Sequence, residues 1–199
     1  MAHAAVTGGG SVTGIVLAAG AGSRMGMPKA LLSSHGVPWL ARASALLRAG
    51  GCRPVLVVLG ADAERARVLL PPTDAARILV TDRWEDGLSH SLRAGLAEAT
   101  GTAVLVTVVD TPELPLAVLQ RLLAQPVGPH TLRQAVYAGA PGHPAVIGSA
   151  HWAPLAADLD GDAGARRYLV AHGVEEVECG DLFDGRDIDT PEQLDAATA

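Results

Sequence analysis

The sequence predicts an α/β protein in which a mostly parallel sheet carries helices on both faces. Three observations lead there. Short apolar runs alternate with stretches of helical spacing along the chain. One run, residues 103–109, reads Ala-Val-Leu-Val-Thr-Val-Val without interruption, as a central strand buried on both faces must. No internal repeat, linker or low-complexity stretch divides the 199 residues, so a single domain of ordinary size is expected.

Taken in order, residues 1–12 form a loose tail, and the domain runs from 13 to 197. Residues 14–18 make the first strand, short, apolar and followed at once by glycines. Helical spacing over Trp39–Ala49 ends at Gly50-Gly51, a C-terminal stop. A strand over 54–59, a helix over 61–70 closed by Pro71-Pro72, and a strand over Arg77–Val80 follow. The next helix is expected over 88–99, before the central strand. Near the end, Thr190, Pro191 and Gln193 have the spacing of a capping box, so the last helix begins there.

Composition narrows the function. Hydrophobic residues are 49% of the chain but aromatics only 3%, so the core must be built from Ala, Val and Leu. A formal charge of −6 excludes a nonspecific nucleic-acid binder, which needs a basic face. No apolar run reaches the ~18 residues of a membrane helix, and residues 1–11 lack the basic start of a signal peptide. A soluble protein is expected. Cys52 and Cys179 sit in no metal-like pair and are read as reduced, buried thiols of a cytoplasmic protein.

The chemistry concentrates in the loop after the first strand, Leu17-Ala-Ala-Gly-Ala-Gly-Ser-Arg-Met-Gly-Met-Pro-Lys29, which holds the only lysine of the chain. Gly20, Gly22 and Gly26 allow positive φ and close backbone approach to an anion. Arg24 adds a planar donor fork and Lys29 a point charge, a combination suited to a polyphosphate. Two common nucleotide loops are excluded. Pro28-Lys29-Ala30 lacks the hydroxyl of a Walker A loop, and Gly20-x-Gly22-x-x-x-Gly26 is one residue too long for the dinucleotide fingerprint.

Other chemistry-bearing residues fall where strands end. Asp110-Thr-Pro112 follows the central strand, where a carboxylate serves either as a helix cap or as a metal ligand. Asp187 and Asp189 share one side of an extended segment with Ile188 turned to the core, and both also suit the start of a helix dipole. Gly87 opens a turn, after which Ser89 or Ser91 can donate to a ligand from the first turn of a helix. Gly95, on the face of Ser91, admits a close neighbour, whether ligand or packing partner.

The loop, with Leu31-Leu32 after it, resembles the signature of the MobA-like nucleotidyltransferases, which join a nucleoside monophosphate to a phosphorylated acceptor. The likeness runs in motif order over roughly residues 13 to 195. It implies a three-layer αβα Rossmann-like nucleotidyltransferase fold with a twisted sheet. It also implies a nucleotide loop of Leu17, Ala18, Ala19, Gly20, Gly22, Ser23, Arg24 and Lys29, the last two catalytic, with Ser89, Ser91 and Gly95 around base and ribose. Mg2+, or Mn2+, is implied on Asp110 and a second ligand, for which Asp189 is the better match and Asp187 the alternative.

Gly142-His143-Pro144 and Gly161-Asp162-Ala-Gly164-Ala165-Arg166 resemble motifs of the molybdenum cofactor cytidylyltransferases, the MocA branch. There they imply an acceptor side built from His143, Asp162 and Arg166. Leu17-Ala18-Ala19-Gly20 and Pro28 depart from the guanylyl-transferring relatives and favour CTP. The resemblance therefore implies transfer of CMP from CTP to the phosphate of molybdopterin or molybdenum cofactor, with release of pyrophosphate. The product would pass to a molybdoenzyme or its maturation chaperone. Thr111 stands where relatives often carry a larger residue. The alternatives are a guanylyl- or other NTP-transferase acting on another phosphorylated small acceptor such as a sugar phosphate, and a noncatalytic molybdenum cofactor carrier.

Overall fold

The computed structural model describes residues 10–71, 75–162 and 164–198. Most of the expected tail (1–9) and Pro72 of the expected helix stop lie outside the described residues.

In chain order the elements are β1 (Val12–Ala18), a hairpin of β2 (Ser33–Ser34) and β3 (Val37–Pro38), and α1 (Trp39–Ala49). Then come β4 (Val55–Leu59), α2 (Ala63–Arg67), β5 (Arg77–Val80), α3 (Leu88–Ala97) and β6 (Ala103–Val108). The second half contains α4 (Leu116–Leu122), β7 (Leu132–Tyr137), β8 (Ala140–Gly148), α5 (Trp152–Asp158), α6 (Arg166–Ala171), β9 (Glu175–Glu178) and α7 (Pro191–Thr198). Seven strands form one sheet in the order β5-β4-β1-β6-β8-β7-β9. Strands β5, β4, β1 and β6 run parallel, β8 is antiparallel to both of its neighbours, and β9 is parallel to β7. This is the expected three-layer, mostly parallel α/β architecture.

Two apolar clusters flank the sheet. Trp39, Leu47, Leu105 and Leu119 belong to the side covered by α1 and α4, while Ile15, Leu92, Leu155 and Leu169 belong to the side covered by α3, α5 and α6. The core is aliphatic, as composition requires. Trp39, the largest of its fully buried side chains, donates from Nε1 to Ser34 Oγ at 3.2 Å.

Several boundaries differ from expectation. The first strand begins at Val12, inside the expected tail, because Ser11 is already held by the Thr102 N–H (2.8 Å). Helix α2 stops at Arg67, and residues up to Leu70 continue as i→i+3 turns, since a following proline disfavours helical φ/ψ at Leu70. Helix α3 ends at Ala97 through the same tightening, with Glu98 N–H on Gly95 O and Ala99 N–H on Leu96 O. The strands β7, β8 and β9 were not legible, each for a local reason. Strand β9 reads Glu-Glu-Val-Glu because it is an exposed edge. Strand β7 buries Arg133, whose guanidinium is satisfied by the carbonyls of Leu122, Gln125 and Pro126 and by Glu175. Strand β8 contains Pro141 and Pro144, which break the usual strand pattern.

After β1 the chain builds outward through β4 to β5, then returns to place β6 on β1's other side. In open α/β sheets such a reversal leaves a crevice beyond the carboxyl ends of the two strands, where ligands bind. Here the crevice lies beyond Ala18 and Val108.

Candidate active site

The glycine loop leaves β1 at the edge of this crevice. Ala19 is tied down by the Ala61 N–H on its carbonyl at 3.0 Å, and Gly22 takes φ +63 with Met27 O so near that a Cβ would lie 2.1 Å from it. Only glycine fits there. Of the three loop glycines, Gly22 and Gly26 use their freedom to take positive φ, and Gly20 does not. The loop closes in a 3-10 turn over Lys29–Leu31, started by Pro28.

That turn projects Lys29 between two carboxylates distant in sequence. Its Nζ donates to Asp110 Oδ2 at 2.7 Å and to Asp189 Oδ1 at 2.5 Å. Arg24 Nη1 reaches Asp189 Oδ2 at 3.0 Å from a largely exposed position. Burial opposes the charge on Lys29, but the Asp110 and Asp189 carboxylates outweigh it and hold its pKa above the usual 10.5. The hydrogen bond from Lys29 does most to hold the Asp189 carboxyl below the usual 3.8. Asp189 is itself oriented by the capping box: Gln193 Oε1 accepts from the Asp189 and Thr190 N–H groups at 2.6 and 3.0 Å.

A cavity of about 510 Å3 opens over these groups. The predicted loop residues Leu17, Ala18, Ala19, Gly20, Gly22, Ser23, Arg24 and Lys29 all line it, together with Ser91, Asp110 and Asp189. Two expected nucleotide residues do not. Ser89 is buried beside it, with an Oγ that has no partner. Gly95 packs α3 onto the sheet, since a Cβ there would lie 3.0 Å from Ile15 Cγ2. The neighbour it admits is β1.

Asp162, expected on the acceptor side, lines the same cavity as the glycine loop, and its Oδ1 accepts from the Leu88 N–H at 3.3 Å at the start of α3. The first turn of α3 is therefore capped by a residue 74 positions beyond Leu88. Sequence reasoning also missed Trp84 as part of the wall. It packs on Gly60, where a Cβ would meet Trp84 Cβ at 2.5 Å, and only the sheet order reveals that proximity.

His143 and Arg166 lie in a second cavity of about 240 Å3, which shares Leu17 and Leu88 with the first. His143 sits within β8, and its carbonyl accepts from Tyr137 OH at 2.6 Å. Its Nδ1 is buried without a partner. Burial lowers its pKa, with the Asp110 charge opposing, which favours a neutral imidazole. Asp187 lines this second cavity, while Asp189 lines the first. Burial, reinforced by Asp110, pushes Asp187 up to about 6.

Among the described residues no group of three or more His, Cys, Asp or Glu side chains is arranged to hold a metal. The pair Asp110 and Asp189 nonetheless fits a hard divalent cation. Both already converge on one cationic atom, Lys29 Nζ, and Asp110 Oδ1 is a buried acceptor without a partner.

Comparison with known proteins agrees with this architecture. Residues 14–177 match the MobA-like NTP transferase domain. The chain is 39% identical over 196 residues to the nicotine blue oxidoreductase of Paenarthrobacter nicotinovorans, covering 92% of this chain and 94% of that one. It is 42% identical over 112 residues to the molybdenum cofactor guanylyltransferase of Xanthomonas euvesicatoria pv. vesicatoria (strain 85-10), a match spanning 56% of this chain and 53% of that protein. Among solved structures, Rv0371c from Mycobacterium tuberculosis H37Rv superposes with a TM-score of 0.79 at 28% identity, covering 94% and 97% of the two chains. That protein has also been solved in complex with manganese.

Proposed function

The chain belongs to the MobA-like NTP transferase family, and we propose that this nucleotidyltransferase moves CMP from CTP to the phosphate of molybdopterin or the molybdenum cofactor. The observation that carries the reading is the convergence of Arg24, Lys29, Asp110 and Asp189 at the crevice between β1 and β6. An acceptor site in the adjoining cavity of His143 and Arg166 is supported by its sharing Leu17 and Leu88 with the first. The acceptor follows from those two motifs and from the molybdenum cofactor named in the guanylyltransferase relative. The choice of CTP rests on Leu17-Ala18-Ala19-Gly20 and Pro28.

In this reaction an acceptor phosphate oxygen forms a bond to the α-phosphorus, and the bond from that phosphorus to the bridging oxygen breaks, releasing pyrophosphate. The nucleophile is already ionised near neutral pH, since a phosphate monoester has its second pKa at about 6, so no general base is needed. Both reactants are anions, and their approach is what the site must make possible. Arg24 and Lys29 supply donors and positive charge at the glycine loop, where charge develops on the departing phosphates. A divalent cation, Mg2+ or Mn2+, held by Asp110 and Asp189 would neutralise phosphate charge. Arg166 pairs with the acceptor phosphate in the second cavity, beside His143.

Thermal unfolding with Mg2+ against CTP, GTP, ATP and UTP tests the nucleotide, because a ligand at 100 times its Kd stabilises by about 2.7 kcal/mol. A CTP-selective shift, followed by pyrophosphate release with molybdopterin, supports the proposal. A GTP-selective shift moves the chain to the guanylyl reading. Absence of any shift, with tight molybdopterin binding, would leave a carrier.

A second reading comes from the relative that matches nearly the whole chain, which is named an oxidoreductase. On that reading the site would take nicotine blue and a reductant in place of an NTP and a phosphorylated acceptor. Bleaching of nicotine blue by a reduced nicotinamide nucleotide, without pyrophosphate release from any NTP, would establish it in place of transfer.

A further inference from the structure

A separate groove of about 340 Å3 lies on the α1 side of the sheet, between α1 and the loop from β6 to α4. Ala43, Leu46, Ala49 and Leu114 give it apolar walls, and Thr107 and Thr111 line it from β6 and the loop that follows. It shares only Val108 with the nucleotide cavity.

What sets it apart is unsatisfied polarity. Arg42 Nε, Thr107 Oγ1 and Thr111 Oγ1 are buried and have no hydrogen-bond partner, and all three residues line this one groove. The two threonines are 1% and 7% exposed. The Arg42 guanidinium is fixed from its other side, with Nη1 on Glu113 Oε1 and Nη2 on Ser34 O, both at 3.1 Å. Its buried Nε–H is therefore held in place rather than free to seek another partner. Folded proteins leave few buried polar atoms unpaired, and each calls for an explanation. Among the described residues, the others of this kind are Asp110 Oδ1 and His143 Nδ1, in the two cavities of the active site, and Ser89 Oγ, which lines neither.

We propose that the groove is a second ligand site that takes a small organic anion. A carboxylate or phosphate oxygen of the ligand accepts from Arg42 Nε and the two threonine hydroxyls, and its apolar body lies along the alanine face of α1. The lining offers three donors, the Arg42 Nε–H and two hydroxyls, and contains no acidic side chain, which suits an anionic oxygen even with the Arg42 charge paired to Glu113. The size falls within the usual range of small-molecule pockets, about 300–1,000 Å3. The proposal is independent of the reaction assigned to the nucleotide cavity, although its occupant would sit one residue from Asp110.

The test is NMR of the full chain with labelled Ala and Thr methyl groups, titrated with benzoate and, as a cationic control, with benzylamine. Saturable shifts of Ala43, Ala49, Thr107 and Thr111 with benzoate alone are expected, while Ala18 and Ala19 in the nucleotide loop stay in place. In the double variant Thr107→Val/Thr111→Val, the Kd read at Ala43 and Ala49 should rise about ten-fold, the loss of two hydrogen bonds. Its melting temperature should equal or exceed that of the parent, because only unpaired hydroxyls are removed. No saturable shift in the groove, an equal response to benzylamine, or unchanged affinity in the double variant overturns the proposal. So does a fall of several degrees in melting temperature, which would show that the hydroxyls are paired within the protein.

Discussion

Lys29 is the residue through which most of the site is connected. Its ammonium binds Asp110 and Asp189, 81 and 160 positions away, so its removal leaves two carboxylates facing each other. Lys29→Ala should therefore cost stability, about 1–3 kcal/mol as for a charged hydrogen-bonding group left without its partner. The pH window follows from the two shifts. The pKa of Lys29 is raised above 10.5, so its contribution is complete below that value and is lost as pH rises through the folded-state pKa. Asp189 is depressed below 3.8, so its contribution is present above 3.8 and is lost as pH falls through the folded value. Urea titrations of the two proteins should differ most near neutrality and converge at both extremes; a constant difference across pH would refute the pairing. In catalysis the same variant should lower kcat by roughly 10²- to 10³-fold, as when one preorganised transition-state donor is removed, with a smaller effect on nucleotide affinity. Asp110→Asn should keep the fold and abolish activity or its metal dependence. Activity with a normal metal response would reduce Asp110 to a partner of Lys29.

At the scale of elements, the decisive piece is the start of α3. This helix has no side-chain cap from its own N-terminal residues, and its first turn is held instead by the Gly161–Asp162 segment, through Ser89 N–H on Gly161 O and Leu88 N–H on Asp162 Oδ1. Gly87 permits the contact with φ +97, and a Cβ there would lie 2.7 Å from Gly161 C and 2.4 Å from Asp162 Oδ1. Gly87→Ala is thus both strained and blocked by backbone, and should cost about 1–3 kcal/mol. Since Gly87, Ser91 and Asp162 together line the cavity proposed for the nucleotide, nucleotide affinity should fall as well. Calorimetric melting and nucleotide titration check both effects, and an alanine variant that melts and binds as the parent does would show that the two segments are not coupled. The motif around Asp162 was visible in the sequence, but its position was not. A capping oxygen can come from any segment the fold brings near, and spacing along the chain carries no information about that.

At the scale of the whole molecule, the sheet seals its thiols. Cys52 and Cys179 are both fully buried. Burial pushes Cys52 up to about 12 and shifts Cys179 in the same direction. The folded chain keeps the Cys52 proton between about pH 9 and 12, where the unfolded chain loses it, so this group makes stability fall as pH rises through that window. At pH 8 a thiol reagent should label Cys52 only at the rate of unfolding, with labelling accelerated by urea in step with the loss of helical circular dichroism. Labelling at the rate of free cysteine in native buffer would contradict the packing.

The sequence by itself determined what depends on near neighbours. Apolar period and glycine stops placed the five parallel-half elements β1, α1, β4, β5 and β6 within a residue or two. The loop from Leu17 to Lys29 was legible as a candidate anion site because backbone freedom and two cations are local properties. The capping box was equally legible, since Thr190 and Gln193 are one helical turn apart. Only the tertiary structure decided that Lys29 stands between Asp110 and Asp189, that Asp162 serves α3, that Gly95 serves β1, and that β7 buries an arginine. Those contacts join segments separated by dozens of residues, and they exist because the strand order reverses at β1 and β6. Periodicity specifies which face of an element is apolar; strand order, set by packing over the whole sheet, specifies which elements those faces meet.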